Sequence, residues 1–135
     1  MGGFNRAIVA TNEGDRRGAR PGDGWLSNVA ITTIAGDVNA VIPIAGMAGG
    51  VVVTSGKTAG RTYTTDTAAN IAAAFPNMDV GESLMFQLAS TDGFTSTVAG
   101  GTGVTASGNL LVLTLTAKEF ILTRTGAATF NLVGL

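Results

Sequence analysis

The residues best able to do chemistry in this 135-residue chain are few and scattered. Gly56-Lys57-Thr58 has the ending of a phosphate-binding P-loop, where backbone N–H groups cradle phosphate and the lysine reaches it. That motif needs a glycine at position 51, but Val51 stands there and Gly50 is one residue too early. The following TAGRTYTT has no helical pattern, so no helix N-terminus faces a phosphate. A Ser–Lys or Thr nucleophile would draw on Lys57 or Lys118, the only lysines, and no recognised spacing sets either beside a serine. Histidine and cysteine are absent, which removes Ser-His-Asp and Cys-His arrangements and thiolate metal sites. Of two carboxylate pairs, Glu13/Asp15 stands among arginines and reads as a solvated ion-pair network. Asp79/Glu82 flanks Gly81 in a turn, with no apolar pocket implied to raise a pKa. Six Asp and three Glu spread along the chain are too dilute for an oxygen-ligand metal loop. No catalytic residue, metal or cofactor is therefore expected.

The elements that would position these residues read as short strands. Candidates are VAITTIA (29–35), VNAVIPIA (38–45), VVVTS (51–55), RTYTT (61–65), SLMFQLAS (83–90) and FTSTVA (94–99). NLLVLTLTA groups Leu111, Leu113 and Leu115, EFILTRT groups Phe120 and Leu122, and TFNLVGL groups Phe130 and Leu132. Gly49-Gly50 and Asp92-Gly93 read as hairpin turns, and AGGTGVTASGN (99–109) as close turns between strands. One segment breaks the period: DTAANIAAAFPN (66–77) can place Ala68, Ile71, Ala72 and Phe75 on one helical face. Asp66 would cap that helix and Pro76 would stop it near Phe75. The expected fold is all-β, a sandwich or barrel with one short helix over about 66–75.

The nineteen residues 38–56 carry no charge, nearly the length of a membrane span. They contain Asn39, Pro43 and several glycines, their apolar residues are mostly Val and Ile, and no basic cluster flanks them. The expectation is therefore a strand hairpin and no membrane contact. The N-terminal apolar run, Ala7 to Ala10, is too short for a secretory signal, which predicts synthesis in the cytoplasm.

Composition points away from nucleic acid: net charge is −1 and charged residues are 13%, about half the usual share. Ala, Gly and Thr contribute 20, 20 and 19 residues, while the large aromatics are six Phe, one Trp and one Tyr. So little charge suits a chain that hides surface in an assembly. Charge is also uneven, with seven of seventeen charged residues within 1–25. That stretch reads as an extended arm and 26–135 as the packed body. Arg16, Arg17 and Arg20 have the fork geometry that grips carboxylates across an interface, and Trp25 would anchor the arm. These four are the interface candidates. Trp25 and Tyr63 are also the two aromatic candidates for a glycan platform.

TTDTAANIAAAFPNMDVGESLMFQLAST, then TVAGGTGVTASGN and the terminal FILTRTGAATFNLVGL, resembles small structural proteins of tailed bacteriophages. The likeness covers about residues 64–135 and consists of turn and strand residues, without a catalytic signature. It implies a jelly-roll-like β domain on the outer surface of the virion. The best match in size is a capsid decoration, or cement, protein: a dimer or trimer that bridges neighbouring major capsid protein subunits. The alternative it leaves open is a tail or fibre module that contacts host glycan.

Overall fold

The computed structural model describes residues 29–135. Arg16, Arg17, Arg20 and Trp25, with the expected arm over 1–25, lie outside the described residues. From Ile31 onward the chain steps back and forth between two sheets. Strand β1 (Ile31–Ala35) lies in a six-stranded sheet and β2 (Ala40–Val41) in a four-stranded one. Helix α1 (Ile44–Met47) then leads to β3 (Val51–Ser55) in the larger sheet and β4 (Arg61–Thr64) in the smaller. Helix α2 (Ala68–Ala74) precedes β5 (Ser83–Ser90), which is followed by β6 (Ser96–Ala99), β7 (Val104–Gly108) and β8 (Leu111–Val112). The chain ends with β9 (Ala117–Gly126) and β10 (Thr129–Gly134). The six-stranded order is β1-β3-β5-β9-β10-β7 and the four-stranded order is β2-β4-β6-β8.

The β-rich, two-sheet expectation holds. The pairing within the sheets differs from the expected hairpins. β1, β3 and β5 pair in parallel, as do β2, β4 and β6, and β7 runs parallel to β10. A jelly roll is built from antiparallel strands. Parallel neighbours need a crossover connection, and between β1, β3 and β5, as between β2, β4 and β6, each crossover passes through a strand of the opposite sheet. Gly49-Gly50 and Asp92-Gly93 are therefore not hairpin turns, since each joins elements that do not pair with one another. β6 and β7, which flank the glycine-rich 99–109 segment, likewise belong to different sheets. Among the described residues the one sequential hairpin is β9–β10, with a register irregularity at Thr129/Phe130.

Two local expectations also shift. VNAVIPIA is not one strand: only Ala40–Val41 is extended, and Pro43, at φ −61, forms the N-cap of α1. Proline's fixed φ suits the start of a helix better than a strand interior. α2 covers Ala68–Ala74, and its cap is Thr67, whose hydroxyl accepts from the Asn70 N–H. Asp66 supports that cap from one residue back, accepting from the Thr67 backbone and the Asn70 side chain. Ala68 and Ile71 are buried as the helical face predicted.

The two sheets share one core. Phe86 and Phe120 face each other across β5–β9 and stack with ring centroids 5.4 Å apart. Leu122 and Leu132 form the next inner row, and Tyr63, Val98 and Val112 meet them from the smaller sheet. Gly134 completes the phenylalanine row because a Cβ there would collide with the Asn109 carbonyl and press on the Phe120 ring. The three leucines grouped in NLLVLTLTA lie outside the core. Val112 is buried, whereas Leu111, Leu113 and Leu115 are exposed. The strand stops after Val112, so the period that would have turned those leucines inward never develops.

Candidate functional site

The polar residues gather where β1, β3 and β5 end. Thr54 and Ser90 are the last inward-facing positions of β3 and β5 and pair with one another across the ladder. Ser96 opens β6 from the opposite sheet. Gly56, at φ +77, turns the chain after β3 in a left-handed conformation that glycine tolerates, and this turn carries Lys57 inward. Lys57 is 4% exposed. Its ammonium donates to Thr54 Oγ1 and Ser90 Oγ, each at 3.1 Å, and pairs with Asp92 Oδ1 at 2.9 Å. All three ammonium protons are thereby used.

The hydroxyl directions follow from this. Thr54 donates its one proton to the Ala89 carbonyl at 3.0 Å, so Ser96, 3.0 Å away, must be the donor to Thr54. Ser90 donates to the Phe94 carbonyl at 2.6 Å. Thr54 Oγ1 then accepts two bonds, and the buried Tyr63 hydroxyl has no hydrogen-bond partner among the described residues. Burial pushes the Tyr63 phenol above its usual pKa. Asp92 also accepts the backbone N–H groups of Lys57 at 2.8 Å and Phe94 at 3.2 Å. The Lys57 side-chain bond is the main cause of its lowered pKa.

A second clasp lies alongside. Arg61 Nε donates to Asp37 Oδ1 at 2.7 Å, the Thr58 backbone N–H donates to the same oxygen at 3.0 Å, and the Thr58 hydroxyl donates to Oδ2. These bonds, Arg61's first, hold the Asp37 carboxyl far below the usual carboxylate range. Together Asp37 and Asp92 tie the loops after β1, β3 and β5 to the strands of the other sheet.

Lys57 and Ser90 thus form the Ser–Lys neighbourhood that the sequence spacing did not show. The one signal available was Asp92, which read as half of a turn rather than as a counter-ion. In this geometry the Lys57 protons are committed to three acceptors, its pair Asp92 is held ionised, and Ser90 is 1% exposed. The cluster is arranged to fasten loops. The other expected chemistry is spread out. Glu82 Oε1 accepts from the Asp79 N–H at 2.8 Å and caps its own turn. Tyr63 is fully buried and offers no glycan platform. In the glycine-rich segment the Thr102 carbonyl accepts from the Ala68 N–H at the first turn of α2. Among the described residues no three His, Cys, Asp or Glu side chains come together in a way that could hold a metal ion. No described helix is long and apolar enough to cross a membrane.

Close to this end, the turn after β8 presents Leu113 and Leu115 to solvent. Leu115 is 73% exposed and has φ 55, the only non-glycine residue in the left-handed region among the described residues. That conformation costs a residue with a Cβ about 1–2 kcal/mol. Leu115 therefore combines backbone strain with an apolar side chain left in water. Comparison of the chain with protein-family models, curated proteins and solved structures returned no match.

Proposed function

We propose that this chain is a non-catalytic structural protein of a phage virion, a capsid decoration protein that self-associates and bridges neighbouring major capsid protein subunits on the outside of the head. The observation that carries the reading is Leu115, whose strain and exposure at the tip of the β8–β9 turn are both unfavourable in a free protein. Strained positions persist where function uses them, and an apolar tip is useful where a partner buries it. Leu111 and Leu113, just before it in the chain, are exposed as well. The resemblance over residues 64–135 supplies the kind of partner. The reading rests on surface chemistry and does not depend on a jelly-roll topology. The rival glycan-binding module loses one of its two aromatic candidates, because Tyr63 is in the core.

The test is co-sedimentation of the purified protein with heads of the parent phage from which this protein has been deleted. The full chain is compared with a version beginning at Trp25. Saturable binding of both, at one site density, supports a contact made by the β body. Binding lost on truncation supports capsid decoration with the contact in the arm, at Arg16, Arg17 and Arg20. No binding by either chain sinks the proposal.

A further inference from the structure

The outward face of the six-stranded sheet is unusual in what it lacks. The register places Ile31, Val51, Gln87 and Glu119 in one outward row, and Thr33, Val53, Ala89 and Ala117 in a second. Met85, Ile121, Val133 and Ser107 make a third, and Ser83, Thr123, Asn131 and Thr105 a fourth. Glu119 is the single charged side chain in these four rows. A sheet face meant for water normally alternates in polar and charged residues. Here Ile31 is 72% exposed and Met85 45% exposed. Neither helix covers this side: α1 lies on the inner side, where Gly46 meets Val52 and Thr32, and Ile71 of α2 belongs to the core.

We infer that two copies of this chain pack face to face through this sheet, about a two-fold axis that runs along the strands between β5 and β9. The axis follows from the strand order. β5 and β9 are the third and fourth of six strands, so rotation about a line between them lays β5 over β9, β3 over β10 and β1 over β7. The whole face is covered by its own copy. The chemistry agrees with the symmetry. Gln87 and Glu119 share a row, so each Glu119 lands over the other copy's Gln87 amide, and the two acids are kept apart. Met85 lands over Ile121 in the same way. The groove of about 300 Å³ between Val29, Val51 and Met85 then receives apolar side chains from across the axis. The hydroxyl and amide row of Ser83, Thr123, Asn131 and Thr105 forms a polar rim, as interfaces have.

The size is sufficient. Five strand spacings of about 4.8 Å and strands of roughly 20 Å give a face of ~500 Å² before side-chain relief is counted. With relief it approaches the ~800 Å² per partner of a standard stable interface. A near-neutral, self-complementary face favours a second copy over a partner recruited by charge. This inference specifies the self-association within the proposed function but needs no capsid, so the two fail separately.

The experiment is sedimentation equilibrium of the free full-length protein at micromolar concentration, with Met85→Lys, Ile121→Lys and, as a surface control, Ala73→Lys on the exposed side of α2. Circular dichroism confirms that each variant is folded. The expected result is a dimer whose dissociation constant rises at least about tenfold in each face variant and is unchanged in the control; tenfold is ~1.4 kcal/mol. A monomeric wild-type chain, a trimer, or a dimer that survives both face variants would overturn the inference. So would a dimer lost only on removal of residues 1–24, because the arm would then be the contact.

Discussion

At the scale of single residues, Lys57 and Asp92 make the sharpest statement. Asp92→Asn leaves a fully buried ammonium without its counter-charge, whereas Lys57→Met leaves a carboxylate that is 19% exposed and within reach of water. Breaking a buried pair from the side that leaves the buried charge is the more damaging cut. Thermal unfolding at pH 7 is therefore expected to rank Asp92→Asn below Lys57→Met, with the double variant more stable than Asp92→Asn alone. Equal losses in the two single variants would show that the pair is solvated. The pH dependence follows from the same groups. Asp37 and Asp92 both have folded pKa values below the ordinary aspartate value of 3.8. Their ionised forms bind fewer protons in the folded state, so their stabilisation is fully present above about pH 4 and is lost as pH falls below it. Melting temperature is expected to be flat on this account from pH 5 to 7 and to fall below pH 4, with a shallower fall in Asp37→Asn. Leu115 gives a third test. Leu115→Gly removes left-handed strain of about 1–2 kcal/mol and adds roughly 0.5–1 kcal/mol of unfolded-chain entropy. Stability is expected to be unchanged or higher by up to about 1 kcal/mol in chemical denaturation, while binding to heads weakens. A clear loss of stability would mean that Leu115 packs within its own chain.

At the scale of elements, what the sequence disclosed depended on how local the cause was. β5, β9 and β10 were legible because Phe86/Leu88, Phe120/Leu122 and Phe130/Leu132 alternate over enough residues to mark an inner face. α2 was legible from Ala68, Ile71 and Pro76, although its cap moved by one residue to Thr67. β2 and β8, each two residues long, were too short to carry a period. The pairing was not legible at all: a parallel ladder such as β3–β5 joins Val51 to Gln87 through a strand of the other sheet, and no turn dipeptide records it. The clasp stayed hidden for the same reason, since Lys57 and Ser90 are 33 residues apart and meet only through that ladder. The stacked Phe86–Phe120 pair on the two central strands is where element and core coincide. Phe120→Ala is expected to cost about 3–5 kcal/mol, since Phe120 is fully buried and stacks on Phe86. A denaturant midpoint that barely moves would mean the two sheets repack more freely than this core implies.

At the scale of the whole molecule, charge separates the two ways the chain could hold a shell. Residues 1–25 contain seven of the seventeen charged residues, among them Arg16, Arg17 and Arg20. In the β body, Lys57 pairs with Asp92 and Arg61 with Asp37, so two of its positive charges already have partners. Contacts made by Leu113 and Leu115 should be almost indifferent to salt, because they derive from apolar burial. Contacts made by the arginines should weaken as ionic strength shortens the screening length from about 10 Å at 0.1 M to about 3 Å at 1 M. Head binding measured across that range is therefore expected to fall for the full chain towards the level of the chain beginning at Trp25, which should itself change little. A dimer would attach through two copies of each contact, so a small loss per contact would then appear as a larger loss of retention on the head. If the truncated chain were as salt-sensitive as the full one, the charges of the body that have no ion-pair partner among the described residues, Lys118 and Glu119 first, would have to be in the interface. If neither were salt-sensitive, the arm's arginines would have no part in holding the shell, and the leucine tip would be left to do it.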